Sequence, residues 1–261
     1  MGDRLRLDHV LAIIQSGTGL TFATFATIHL GGHLLSHIDF DLSNSVLHAV
    51  RPYYQNAVVE PIVVFGSVII HAVVSVTRWY LRRGRTSGAA KENSTVPYAV
   101  SERKWHRNMG WVLLPLFCIH SNATRIGLLK GYALDKMPNF DLYQASLPAH
   151  LFPMFFTPYY SLLTGGLLIH MAYGIGYAMQ TFGVKMPTIQ DKDKRTIWYY
   201  ALAAIGISTT LAVSGYYYNV RFTPEHIKIA SGIAADLHPD QLFVKNAIAK
   251  MFGSQYVTNW K

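Results

Sequence analysis

Twelve histidines occur in the chain, and five of them, His29, His33, His71, His120 and His170, stand inside long apolar runs. His71 lies in VVEPIVVFGSVIIHAVVSVTR, a run that Glu60-Pro61 opens and Arg78 ends. An imidazole in such a run is costly unless something holds it. A neutral imidazole nitrogen is a good iron ligand. Two histidines on opposite faces of a haem b fill both axial positions, which leaves electron transfer as the natural chemistry. Arg78 and Arg125, at or near the ends of such runs, are candidate partners for haem propionates. The competing reading is that these histidines hydrogen-bond between helices and bind nothing.

Helical spacing places the histidines on faces of small side chains. Phe22, Ala26, His29, His33 and His37 share one stripe; Glu60, Ser67, His71, Val74 and Arg78 share another. Gly110, His120, Thr124, Gly127 and Gly131 form a third, and Gly166, His170, Tyr173 or Gly174, and Tyr177 a fourth. Counted by helical rise, His71 lies roughly 2–3 Å beyond its run's midpoint and His170 roughly 4 Å beyond its own, in the same direction. These two form the expected haem pair. His29 lies about 7 Å to the other side and His120 near mid-depth, so they are the weaker pair for a second haem. His9, His37, His48, His106 and His150 fall near the ends of runs, where an exposed imidazole costs little.

The elements that would position these residues are membrane-spanning helices. The chain is 51% hydrophobic and only 14% charged, against roughly 25% charged residues in soluble domains. Its apolar residues come in blocks near the ~20 residues that cross a bilayer core. The blocks are about 10–38, 58–81, 109–130, 155–180 and 197–220. The expected fold is therefore all-α: an integral membrane bundle of five helices over 1–220, with a short helical tail over 221–261. The net charge of +9 resides in loops between apolar blocks, which argues against nucleic acid. Basic residues concentrate on one side, at Arg4 and Arg6, from Arg82 to Arg107 and from Lys185 to Arg195. Only Arg51, Lys130 and Lys136 lie in the opposite loops. That asymmetry places the N-terminus on the cytoplasmic or matrix side.

Cys118, the single cysteine, forms no intrachain disulfide and is expected to pack as a small hydrophobe. In the tail, Thr223-Pro224-Glu225 predicts a helix start with Thr at the N-cap and Pro at the first position. A second amphipathic stretch over 241–252 follows His238-Pro239-Asp240. The tail is expected on the membrane surface or against a protein partner. There is no Gly-rich phosphate loop, nucleophile elbow or pair of carboxylates in a polar cleft, so the chain does not read as an enzyme beyond electron carriage.

Arg51-x-x-Tyr54-Gln55-x-x-x-x-Glu60, with His71 and Arg78, resembles the transmembrane domain of fungal mitochondrial membrane adapters. Trp105-His106-Arg107-x-x-Gly110-Trp111, with His120 and Arg125, is similar to the next span of that family. The resemblance covers about residues 15–180. It implies a haem-associated membrane domain acting in lipid homeostasis or organelle contacts, by recruitment of a lipid-transfer protein to a mitochondrial membrane, the outer one favoured. More distantly the chain resembles the cytochrome b anchors of succinate dehydrogenase and fumarate reductase, which implies quinone as electron acceptor. It has Ser16 and Gly176 where those anchors have arginine. A third expectation is a haem-free structural subunit of a mitochondrial membrane complex.

Overall fold

The computed structural model describes residues 2–83, 97–126, 141–184, 191–218, 220–237, 240–258 and 260, without the side chains of 2–5, 97–104 and 192. Lys130, Lys136, Gly127, Gly131, His238 and Pro239 lie outside the described residues, as do 84–96.

Among the described residues the chain is all helix. α1 runs over Gly2–Leu34 and tightens into a 3₁₀ turn at Leu35–His37; α2 covers Phe40–Tyr54. A π-helical segment, Glu60–Gly66, leads into α3, Ser67–Arg82. α4 is Pro97–Ser121 and ends in a second π segment, Asn122–Ile126. α5 is Leu142–Leu151, α6 Pro153–Thr181, α7 Lys192–Val213, α8 Pro224–Leu237 and α9 Leu242–Phe252. Among the described residues, four helical stretches are long and apolar enough to cross a membrane: Arg6–His37, Glu60–Arg82, Pro153–Thr181 and Asp193–Val213. The expected third span is not among them. Its helix begins earlier than the apolar block and carries Glu102, Arg103, Lys104 and Arg107 in its first half, while 127–130 lies outside the described residues.

Local chemistry sets the helix ends. Asp141 caps α5 through the amides of Tyr143 and Gln144, and the Gln144 side chain returns to the Asp141 amide at 2.9 Å. This is a capping box. Thr223 caps α8, its Oγ1 accepting from the His226 amide at 3.2 Å, with Pro224 at the first position as expected. α6 and α7 end in Schellman motifs at Gly183 and Gly215. Val184 donates to the Met179 carbonyl and Gly183 to that of Gln180; Tyr216 donates to Leu211 and Gly215 to Ala212. Both glycines have φ near +80° (79° and 77°), where a Cβ is strained.

The residues group into two units. The first takes Met1–Gly31, Ala49–Leu114 and Gly165–Ile205; the second takes Gly32–His48, Pro115–Thr164 and Gly206–Lys261. In the second unit, Phe40, Leu47 and Leu142 form one buried cluster. Ser43 donates to the Gly32 carbonyl at 2.8 Å, and a Cβ on Gly32 would meet the Leu47 side chain at 2.5 Å, so that side chain would have to shift. The Tyr143 hydroxyl donates to Asp41. Burial, and then that carboxylate, push the Tyr143 phenol above its usual range. A second cluster joins Ile227, Ile248, Val257 and Trp260, with Leu151 and Phe222 against it. The tail helices α8 and α9 thus pack on each other and on α5.

Candidate functional site

The site lies in the first unit. Glu60, Val64, Ser67, Val74 and Arg78 are buried along one face of the π segment and α3, matching the stripe read from spacing. His71 belongs to that face, and its ring reaches α1. Nδ1 of His71 is 2.9 Å from the backbone carbonyl oxygen of Gln15. A carbonyl oxygen only accepts, so Nδ1 carries a proton, and in the neutral ring Nε2 keeps its lone pair. The approach depends on Gly19, one turn along α1: a Cβ there would lie 3.0 Å from Cε1 and Nδ1 of His71.

His170 on α6 makes the corresponding contact with α4. Its Nδ1 donates to the carbonyl of His106 at 3.1 Å, and a Cβ on Gly110 would lie 3.3 Å from its Cε1. The rings of His71 and His170 stand 6.4 Å apart between centroids, with planes at 82°. Nε2 of neither ring has a hydrogen-bond partner among the described residues. The two expected ligands are thus brought together, each in the tautomer whose free lone pair is on Nε2.

His106, expected at an exposed interface, instead belongs to the interior of this site. Its ring stacks on His170 at 3.9 Å and 12° and lies 4.9 Å from Tyr173. Its Nδ1 is buried with no hydrogen-bond partner among the described residues. Hydropathy misplaced it, because the apolar block opens near 109 whereas α4 opens at Pro97. The available signal was spacing: His106 precedes Gly110 by one turn, as Gln15 precedes Gly19.

Arg78 is buried and held by protein groups. Its Nε donates to Asp8 Oδ1 at 3.2 Å and its Nη1 to Gln15 Oε1. Asp8 also receives two-pronged contact from Arg82, with Nη2 at 2.7 Å from Oδ2 and Nε at 3.1 Å from Oδ1. The Gln15 Nε2 donates to Ser75 Oγ at 2.7 Å, and Ser75 donates to the His71 carbonyl at 2.6 Å. Gln15 therefore meets His71 through its backbone and Arg78 and Ser75 through its side chain.

The weaker pair is distributed differently. His29 is in the first unit, stacked on Phe25 at 5.5 Å and edge-on to Tyr54 at 6.4 Å. His120 is in the second unit, edge-on to Tyr160 at 6.5 Å. Arg125 is half-buried in the second π segment. Of the other histidines, His9 is exposed, His37 bonds Ser208 at 2.9 Å and His150 bonds the Ser146 carbonyl at 3.1 Å. Cys118 does not pack inward as expected: it is exposed on α4, a face that shares Ile119. Among the described residues no three or more His, Cys, Asp or Glu side chains cluster as a metal cage. Coordination at His71 and His170 would need a group bringing its own equatorial donors.

No protein-family model matches the sequence, and comparison with curated proteins and with solved structures finds no match.

Proposed function

We propose that the chain is a multi-pass membrane protein holding one haem b between His71 and His170. The observation that carries this is the pairing of two Nδ1–H imidazoles, each anchored to a backbone carbonyl and each left with an Nε2 lone pair. Outer partners of this kind fix tautomer and ring orientation at metal-bound histidines. The two ring centroids stand 6.4 Å apart, close enough for one group placed between them to meet both imidazoles. A haem held by His71 and His170 would supply one-electron transfer.

The chain's residues would bind, orient and shield. Gln15 and His106 hold the two imidazoles through their carbonyls. Gly19 and Gly110 let the rings reach them. Arg78 is the candidate cation for a propionate, although it already pairs with Asp8. The same proposal takes α4 as a fifth span, with the basic loops on the cytoplasmic or matrix side. From the adapter resemblance we take the setting: a mitochondrial membrane, outer favoured, and a role in lipid homeostasis or contact-site recruitment. The protein partner would engage the tail or the basic loops.

The test is the absorbance spectrum of the detergent-purified chain, oxidised and dithionite-reduced, before and after haemin addition. A Soret band that sharpens on reduction and is lost in His71→Ala and His170→Ala is expected. No Soret band under any of these conditions sinks the proposal. Co-purified flavin and iron–sulfur subunits would move the reading to a quinone-reducing cytochrome b anchor. One observation favours a haem-free structural bundle: the same imidazole–carbonyl bonds tie α3 to α1 and α6 to α4. That reading expects no spectrum, and loss of stability in the same variants.

A further inference from the structure

Helix pair α1–α3 and helix pair α4–α6 share one constellation. Gln15 and His106, Gly19 and Gly110, and His29 and His120 stand at one constant offset in the sequence. Gly66 and Gly165, Ser67 and Gly166, His71 and His170, Ser75 and Gly174, and Arg78 and Tyr177 stand at another. The contacts follow these offsets. His71 donates to the carbonyl of Gln15 and fits over Gly19. His170 donates to the carbonyl of His106 and fits over Gly110.

The geometry has a simple cause. In a helix the carbonyl of residue i is flanked by the side chain of residue i+4, so a ring from a neighbouring helix cannot ordinarily reach it. Glycine at i+4 opens a notch, and small residues let the helix axes approach. An imidazole in the notch gives its Nδ1 proton to the carbonyl. The differences between the pairs compensate locally. Gln15 bonds Ser75 in the first pair. In the second, the bulkier His106 lies over Gly174, where a Cβ would meet its Cε1 at 3.0 Å.

We infer that the two helix pairs are copies of one ancestral unit, and that Gln15 and His106 are equivalent positioning residues whose backbone carbonyls, each opened by a glycine one turn on, fix His71 and His170 as Nδ1–H imidazoles. The inference rests on the reading of these two rings as the ligand pair. It adds what selects their tautomer and why the two halves differ.

The experiment is nitrogen NMR on the full chain, labelled with ¹⁵N-histidine in detergent micelles without haem. His71→Ala and His170→Ala assign the two signals. Both rings are expected as neutral Nδ1–H tautomers. Gly19→Val removes that signature from His71 alone and Gly110→Val from His170 alone. The transplant His106→Gln with Gly174→Ser keeps both signatures, because the carbonyl remains, and brings the His170 signal toward that of His71. Retention of both signatures in the two valine variants overturns the inference. If those variants do not fold, loss of the His170 signature in the transplant overturns it, and retention supports it. Haemin binding is read separately by absorbance. Intact tautomers without haem uptake defeat the haem proposal alone, whereas haem uptake with the tautomer predictions failing defeats this inference alone.

Discussion

Replacing Asp8 by alanine is expected to cost more stability than replacing Arg78 by methionine, although the two side chains form one ion pair. The reason lies in what each change leaves behind. The Arg78 side chain is 6% exposed and that of Asp8 16%. Without Asp8, the buried guanidinium keeps, among the described residues, only the Gln15 oxygen. Removing one partner of a buried pair costs 3–5 kcal/mol in general, and the remaining charged hydrogen bond brings the expectation here to about 3 kcal/mol. Without Arg78, Asp8 keeps both contacts to Arg82, and methionine fills the volume at about 1 kcal/mol or less. Arg82, with 45% of its side chain exposed, adds little of its own, since pairs with an exposed partner contribute ~0–1 kcal/mol. The expected gap of about 2 kcal/mol is about 30-fold in the folded-to-unfolded ratio. Unfolding in mixed micelles by increasing dodecyl sulfate, followed by tryptophan fluorescence, measures it. If Arg78→Met costs as much as Asp8→Ala, the guanidinium is not held as described.

Gly32→Ala is expected to destabilise by about 1–3 kcal/mol through overpacking against Leu47, and that penalty should vanish when Leu47→Ala is already present; additive losses would contradict the contact. Asp141→Ala should cost about 1 kcal/mol by removing the α5 cap, with Asp141→Ser recovering most of it, as melting temperatures would show. Tyr143 holds its proton more tightly when folded than a free phenol does, because burial and then the Asp41 carboxylate disfavour the phenolate. Its contribution is therefore fully present below the pH at which a free phenol ionises and declines above it, because the unfolded chain releases the proton first. Tyr143→Phe should flatten the alkaline limb of the stability–pH curve, and an unchanged limb would count against the Asp41 contact. A membrane-permeant maleimide should modify Cys118 in the folded protein without denaturant, whereas protection would place that thiol inside.

Much of this was legible in the sequence because long apolar helices leave strong signals. The four long apolar stretches follow from block length alone. The buried face of α3 follows from spacing, since Glu60, Ser67, Val74 and Arg78 recur at three to four residues and in multiples of that interval. Helical rise paired His71 with His170 without knowledge of their neighbours. α2 and α5 were not read, because amphipathic helices between the long apolar stretches lack that hydropathy; Asp141 and Gln144 were the available signal for α5. His106 was missed because hydropathy weights the charged residues around it and is blind to a glycine one turn away. Cys118 was placed inward on the assumption that apolar surroundings mean burial. An exposed face that a bilayer would cover is apolar for the opposite reason. The partner carboxylate of Arg78 came from Asp8, far away in sequence and outside the first apolar block, where no local pattern points to it.

The π segment before α3 bears on how such a helix tolerates changes in length. A π turn carries one residue more than an α-helical ladder needs, and here it spans Glu60–Gly66. Deleting one residue within 62–65 would let the segment relax to α while the directions in which Glu60 and Arg78 point stay matched. The same deletion within 68–70 would swing Glu60 and Ser67 about 100° away from His71. The chain thus holds a spare residue just ahead of its most constrained histidine, and single-residue length variants in that lineage are expected to accumulate there.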